Sequence, residues 1–308
     1  MKIAVLLPCY NEEAAIAKVV ADFKAALPGA VIYVYDNNSK DKTAQVARDA
    51  GAVVRTEMRQ GKGNVVRRMF ADVEADIYVM ADGDGTYETS AAPKLIQALI
   101  DHNADMIVGT RAEEGGDKLY RSGHRFGNRM LNFIVRLLFG QGVSDMLSGY
   151  RVFSRRFVKS FPSDAYGFET ETELTIHALE LRLPIMEVPT KYFDRIEGTQ
   201  SKLSTYKDGI RILSFILFFF KEIKPFAFFG LIAIGLMALS LIAGIPVVLE
   251  YFHTGLVPRF PTAILSMGLM LSALMSFITG TVLDTVSHGR IEHKRLSYLS
   301  YPGVAEAL

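Results

Sequence analysis

The chain has a single cysteine, Cys9, and no tryptophan in 308 residues. One thiol excludes an internal disulfide framework and any CxxC metal site. Cys9 lies in the first apolar run and reads as a small core residue. Net charge is nearly absent too, +1 from 34 Lys and Arg against 33 Asp and Glu, so there is no global electrostatic case for nucleic acid. Two phosphate-binding signatures are missing. No GxGxxG follows the first apolar run, which argues against a dehydrogenase-type dinucleotide fold, and GxxxxGK[ST] does not occur. The first eight residues are too short an apolar run for a signal peptide and read as a buried strand.

Apolar residues make up 50% of the chain, and they are unevenly spread. Up to about residue 210 apolar and polar residues alternate as in a soluble domain. Two long runs follow, 226–249 and 262–286, each longer than the roughly 20 residues a helix needs to cross a bilayer. Neither carries a charge in its interior, and Pro246 is tolerable in such a helix. Residues 204–224 start amphipathic and grow apolar, with Lys207, Arg211, Lys221 and Lys224 on the polar face and at the end, as suits a helix lying in an interface. Lys and Arg flank the pair of runs on one side, and the link between them holds only Arg259. The positive-inside rule then puts the large N-terminal region and the C-terminus in the cytoplasm. The expected organisation is a catalytic domain over 1–203, an interfacial helix over 204–225, two transmembrane helices over 226–288 and a cytoplasmic tail over 289–308.

Within 1–203, short β-rich runs alternate with helical ones, the signature of a doubly wound, mostly parallel α/β sheet. Strands are expected over 2–7, 31–35, 53–55, 77–81, 105–109, 152–153 and 185–188. Asn11 is expected to cap a helix over 12–26. Polar clusters recur at the strand ends, where open α/β sheets bind ligands. The most informative is Asp82-Gly83-Asp84. Two carboxylates one residue apart after a strand can hold a hard divalent cation and, through it, a diphosphate; they can equally form an Asp/Gly turn. Gly61-Lys62-Gly63 suits a backbone approaching an anion, or a flexible loop. Arg121, Arg125, Arg129 and Arg136 interleave with apolar residues on an expected helix over 121–139. That pattern fits a solvated face or a surface of anionic lipid. Glu169, Glu171 and Glu173 precede an apolar helix. They are either complements of the helix dipole or site residues, with the dipole reading first for Glu171 and Glu173.

Taken in order, Pro8-Cys9-Tyr10-Asn11-Glu12, residues 36–43, Gly61-Lys62-Gly63, Asp82-Gly83-Asp84, Gly109-Thr110-Arg111, Ser148-Gly149-Tyr150-Arg151 and residues 195–203 resemble family 2 glycosyltransferases of the GT-A fold. Within that family they are similar to polyprenyl-phosphate glycosyltransferases akin to dolichyl-phosphate mannose synthase. The resemblance spans residues 1–205 and implies roles. Pro8, Tyr10, Glu12 and Asp36 would line the nucleoside pocket, and Gly61 and Lys62 would face the nucleotide. Asp82 and Asp84 would hold Mg²⁺ or Mn²⁺ against the donor diphosphate. Arg111 with Arg121 or Arg125 would grip the lipid phosphate, and Asp145 would stand close to the acceptor. Arg195, Ser201 and Lys202 would close over the donor. Two departures stand out. Asp36-Asn37 replaces the two acids of many relatives, and Gly85-Thr86-Tyr87-Glu88 replaces their Leu-Gln-His-Pro, so no third metal ligand is assigned.

The expected partners are therefore a UDP- or GDP-sugar, a polyprenyl phosphate (undecaprenyl or dolichyl) and a membrane, with no nucleic acid. The expected site of action is the inner membrane, crossed more than once, with the catalytic domain cytoplasmic. The expected chemistry is an inverting displacement in which Asp145 orients the acceptor or acts as a weak base. A homo-oligomer is compatible with the apolar stretch 215–220. A processive polysaccharide synthase is the first competing expectation, but the chain lacks the QxxRW motif and has only two spans. A non-catalytic membrane scaffold would not need the Asp82/Asp84 pair. A sugar nucleotidyltransferase would not explain the two apolar runs.

Overall fold

The computed structural model describes residues 1–112, 135–136, 143–163, 169–194, 214, 217–218 and 220–306. Arg121, Arg125, Arg195, Ser201 and Lys202, the helix expected over 121–139 and most of the interfacial helix lie outside the described residues. Contacts divide the chain into two units, Met1–Ser214 with Lys294–Leu308, and Phe215–His293.

Seven strands build the first unit: β1 (Ile3–Cys9), β2 (Val31–Asp36), β3 (Val53–Thr56), β4 (Ile77–Met80), β5 (Met106–Ala112), β6 (Arg151–Ser154) and β7 (Ile185–Lys191). Their order across the sheet is β3-β2-β1-β4-β6-β5-β7. All neighbours run parallel except β6, which is antiparallel to both β4 and β5. The sheet is thus mostly parallel and mixed. Ile77, Tyr78, Val79 and Met80 are fully buried, as are Ala4 to Leu7 of β1. This is why both read as unbroken apolar runs: central parallel strands are covered on both faces.

The covering helices are α1 (Ile16–Ala26), α2 (Thr43–Asp49), α3 (Lys62–Asp72), α4 (Ala92–Asp101), α5 (Arg155–Ser160) and α6 (Thr170–Glu180). In α1, Ile16, Val19, Val20 and Phe23 are buried, the i, i+3, i+4, i+7 stripe of a helix lying on a core. Phe23 is fully buried and meets Tyr150 edge-on at 6.5 Å; replacing it with Ala would cost about 3–5 kcal/mol. The expected start of this helix at Glu12 is not observed. Asn11 has φ 52° and caps nothing locally, because its Oδ1 accepts the Lys40 N–H at 2.8 Å.

The second unit holds α7 (Pro225–Thr254) and most of α8 (Phe260–Leu299). Among the described residues these two helices are long and apolar enough to cross a membrane. Small residues let them pack. Ser240 Oγ donates to the Ser266 carbonyl at 2.7 Å and Ser266 Oγ donates to the Ser240 carbonyl at 2.9 Å. Gly244 sits so close that a Cβ there would lie 2.4 Å from Ser266 Oγ. Small residues and interhelical hydrogen bonds hold helices together where no hydrophobic force can.

Helix α8 continues through the expected tail start near 289 to Leu299, and its residues from Lys294 on belong to the first unit. Lys294 pairs with Glu180 at 2.8 Å, and Tyr298 donates to Asp105 Oδ2 at 2.9 Å. Asp105 is fully buried and also accepts from Ser154 and, bidentately, from Arg156 at 2.6 and 3.1 Å. The Arg156 guanidinium in turn lies 4.7 Å from the Tyr298 ring centroid. Val304 joins the core cluster.

Candidate active site

A cavity of about 320 Å³ opens at the carboxyl edge of the parallel strands, where such sheets bind ligands. Each wall comes from a different element. The end of β1 supplies Pro8, Cys9, Tyr10 and Glu12, and the end of β2 supplies Asn37. The start of α3 supplies Gln60, Gly61, Lys62 and Val65. The turn after β4 supplies Asp82, Gly83, Asp84 and Tyr87. Arg111 of β5, Leu147, Glu171 of α6 and Tyr192 complete it. Of the expected site residues, Pro8, Tyr10, Glu12, Gly61, Lys62, Asp82, Asp84 and Arg111 therefore converge on one cavity. Asp36 and Asp145 stand behind the lining. Tyr87, Asn37 and Tyr192 line the cavity although the sequence reading gave them no role there, and Glu171, read first as a complement of the helix dipole, takes its alternative place as a cavity residue.

The polar cluster after β2 is mainly a brace. Ser39 Oγ accepts the Asn11 N–H, Thr43 Oγ1 accepts the Glu12 N–H and Asp41 Oδ2 accepts the Glu13 N–H, at 2.9, 2.8 and 3.2 Å. Glu13 Oε2 returns the contact by accepting the Lys42 N–H at 2.7 Å. These bonds fix the loop that carries Tyr10 and Glu12. Asn37 is equally committed. Its Oδ1 accepts the Gly61 N–H at 2.7 Å, and its amide donates to the carbonyls of Glu57 and Arg59 at 3.0 and 2.7 Å. Gly61 has φ 130°, in the region open to glycine, and this turn delivers the N-terminus of α3 and Lys62 to the cavity. Asp36 Oδ2 accepts the Ser39 N–H at 3.2 Å, whereas its buried Oδ1 has no hydrogen-bond partner among the described residues.

Lys62 is the electrostatic centre. Its Nζ bonds Asp82 Oδ1 and reaches Glu171 Oε1 at 2.5 Å. Burial alone would lower the ammonium's pKa, but Asp82 and Glu171 outweigh it and hold Lys62 above its ordinary value. The turn of Gly149 closes over this group. A Cβ at Gly149 would lie 2.7 Å from Asp82 Oδ2 and 3.2 Å from Lys62 Nζ. The Gly149 N–H donates to the Tyr87 hydroxyl at 2.9 Å. Burial, then the neighbouring Asp82, pushes the Tyr87 phenol well up, so it stays neutral. Asp84 is almost fully buried, with Oδ1 accepting from Thr86 Oγ1 at 2.7 Å and from the Thr86 N–H at 3.2 Å.

Arg111 and Asp145 form a bidentate pair. Arg111 Nε donates to Oδ2 at 2.8 Å and a terminal nitrogen to Oδ1 at 2.6 Å, with the Arg111 backbone N–H adding 3.2 Å. Burial would raise the Asp145 pKa, but the Arg111 hydrogen bonds and charge hold it below the carboxylate range. The Arg111 guanidinium also lies 5.5 Å from the Tyr192 ring centroid. Asp145 thus orients Arg111, and a carboxylate so engaged is a poor base. Arg151 does not reach the cavity. It is fully buried and donates to the carbonyls of Ser148 and Met146 at 2.9 and 2.6 Å and to Thr175 Oγ1 at 2.9 Å. Thr175 Oγ1 itself donates to the Glu171 carbonyl at 3.0 Å, so Arg151 ties the Gly149 turn to the first turn of α6.

Asp82 and Asp84 offer hard oxygen donors to one cavity, and the Asp82 side chain is 31% exposed. Among the described residues no group of three His, Cys, Asp or Glu is placed to hold a metal. Two carboxylates fit Mg²⁺ or Mn²⁺, which takes one or two protein carboxylates and completes its shell with substrate phosphates and water.

This mostly parallel sheet with acidic turn and basic wall defines a glycosyltransferase of the GT-A type. The glucosyl-3-phosphoglycerate synthase of Mycobacterium tuberculosis, solved with Mn²⁺, UDP and glucosyl-3-phosphoglycerate, is similar with a TM-score of 0.57 and 25% identity, over 70% of this chain and 79% of that one. The chain belongs to Glycosyl transferase family 2, which its residues 4–161 match. Glycosyltransferase AglJ of Haloferax volcanii is 30% identical over 299 residues, covering 96% of this chain and 98% of the relative. The dolichyl-phosphate hexose transferase of the same organism is 30% identical over 211 residues, 68% of this chain and 90% of the relative.

Proposed function

We propose that the chain transfers a sugar from a UDP- or GDP-sugar to a polyprenyl phosphate, undecaprenyl or dolichyl, in one inverting displacement at the cytoplasmic face of the inner membrane. The observation that supports this reading is the convergence of Asp82, Asp84, Lys62 and Arg111 on one cavity beside the end of β1. The relative that acts as a dolichyl-phosphate hexose transferase supports the acceptor class. Pro8, Tyr10 and Glu12 flank the nucleoside. Asp36 stands behind that lining and braces it by accepting the Ser39 N–H.

Asp82 and Asp84 would hold a divalent cation, Mg²⁺ or Mn²⁺, whose charge offsets that growing on the leaving diphosphate. The Lys62 ammonium and the N-terminus of α3 add positive potential on the same side. The nucleophile is an oxygen of the lipid phosphate. With a second pKa of roughly 6 it is already anionic, so no strong base is required. Its oxygen bonds to the anomeric carbon as the carbon–oxygen bond to the diphosphate breaks, and that electron pair leaves with the nucleoside diphosphate. Arg111, held square by Asp145, carries the charge that draws the lipid phosphate in, with Arg121 and Arg125 adding to it. Arg195, Ser201 and Lys202, outside the described residues, would belong to the donor loop that the family resemblance implies. The chain leaves the first unit at Ser214 and rejoins it at Lys294. Two crossings, by α7 and α8, satisfy that return.

The test is radiolabel transfer in detergent, with undecaprenyl or dolichyl phosphate, Mn²⁺ or Mg²⁺ and a panel of UDP- and GDP-sugars. Cation-dependent label in the lipid phase, lost in Asp84→Ala, is expected. Label in a polymer, or no transfer from any donor by folded protein, overturns the reading.

A further inference from the structure

The Asp82 carboxylate has two claimants. A divalent cation needs it, yet the Lys62 ammonium already sits on its Oδ1. A dication and an ammonium repel each other at one carboxylate. Lys62 is only 11% exposed, so releasing it from Asp82 would strand a buried charge. Its second partner removes that cost. Glu171 Oε1 lies 2.5 Å from Nζ, and the Glu171 side chain is 6% exposed. Glu171 is itself held in place, since its carbonyl accepts Thr175 Oγ1 and Thr175 accepts from buried Arg151. The Gly149 turn lies on another side of the ammonium, close enough that a Cβ there would be 3.2 Å from Nζ. Lys62 is therefore confined between two carboxylates from stretches far apart in the sequence.

We propose that Glu171 is a positioning residue that retains the Lys62 ammonium when Asp82 turns to the cation, so that Glu171 sets how readily the site takes up its metal. The inference rests on the cation reading of Asp82 and Asp84. It gives Glu171 a role in the cavity beyond complementing the helix dipole. A partner one step behind a metal ligand commonly changes metal affinity by about 10- to 100-fold. The sign here is specific. Without Glu171 the ammonium has only Asp82, competes harder and weakens the cation; without Lys62 as well, the competitor is gone.

The experiment titrates Mn²⁺ alone into the detergent-solubilised full chain and follows binding by water-proton relaxation, with Asp84→Ala defining the site. Glu171→Gln is expected to weaken Mn²⁺ by roughly tenfold, Glu171→Asp by less, and Lys62→Met added to Glu171→Gln to restore affinity to the wild-type level or beyond. Unchanged affinity in Glu171→Gln overturns the inference and leaves the cation reading standing. So does a double variant as weak as Glu171→Gln. If neither the wild type nor Lys62→Met shows any Asp84-dependent Mn²⁺ site, the cation reading and the inference fall together.

Discussion

Two polar clusters sit at the carboxyl edge of the same sheet, and they do different work. The cluster after β2, from Asp36 to Thr43, spends most of its groups on the loop after β1, closing one hydrogen bond after another at 2.7–3.2 Å. The cluster of Lys62, Asp82 and Glu171 gathers charges from three distant elements onto one cavity wall. Written as sequence, both are polar punctuation between apolar runs. What separates them is where the bonds end. A network closed on backbone holds shape, and one that ends in charged groups on a cavity can exchange partners with a ligand.

The largest break in that comparison should come from the charged cluster. Asp84→Ala is expected to lower transfer by about 10²-fold or more, the scale of removing one group that stabilises developing charge, with thermal melting close to wild type. A loss of under tenfold in the radiolabel assay would remove Asp84 from the cation site. Next come Arg111 and Asp145. If Asp145 acts by orienting Arg111, then Asp145→Asn and Arg111→Ala should each cost roughly 10- to 100-fold, and the double variant should be little worse than the more damaging single one. Near-normal turnover in Asp145→Asn would sink its orienting role.

The brace should respond in the opposite way. Thr43→Val leaves the buried Glu12 N–H without its acceptor and should cost about 1–3 kcal/mol of stability, while kcat of the folded fraction changes far less than in Asp84→Ala. Denaturant midpoints with single-turnover rates on the same samples would separate the two. The smallest effect belongs to a buried group outside both clusters. His177 stands 3.1 Å from Ser160 Oγ, and burial, then the Lys294 charge, lowers its pKa to about 3. It is neutral in the folded chain, and below about pH 6.5 the unfolded chain binds a proton the folded one refuses. Stability from this group is complete above that pH and drains away as pH falls toward 3. Melting temperature against pH should be flatter over that window in His177→Gln.

Much of this architecture was legible in the residues. Fully buried β1 and β4 are continuous apolar runs, and the alternation of strand and helix gave a mostly parallel sheet with its ligand edge marked by Asp82, Lys62 and Arg111. The reversal of β6 was not legible: Arg151 to Ser154 are all buried, and a buried run of four carries no sign of its direction. Asn11 looked like a helix cap because its type suits one, yet its side chain serves a loop 29 positions away. Glu171 looked like an ordinary first-turn acid because its partner, Lys62, is 109 residues off in sequence. Arg151 is part of a matching motif, but only the fold reveals that it holds carbonyls and does not line the cavity.

Asp105 closes the account from the other end of the chain. It opens the turn into β5, the strand that ends with Arg111, and it accepts from Ser154, Arg156 and finally Tyr298. A ribosome delivers Ser154 and Arg156 with the catalytic region but delivers Tyr298 only after both apolar helices have emerged. Completion of that buried network is thereby tied to synthesis of both apolar helices. A chain released before the tail is made has its sheet but lacks its last hydrogen bond to a buried carboxylate. Nascent chains arrested before residue 298 should thus be cleaved by protease faster than full-length ones, and Tyr298→Phe should behave as a partial copy of that arrest.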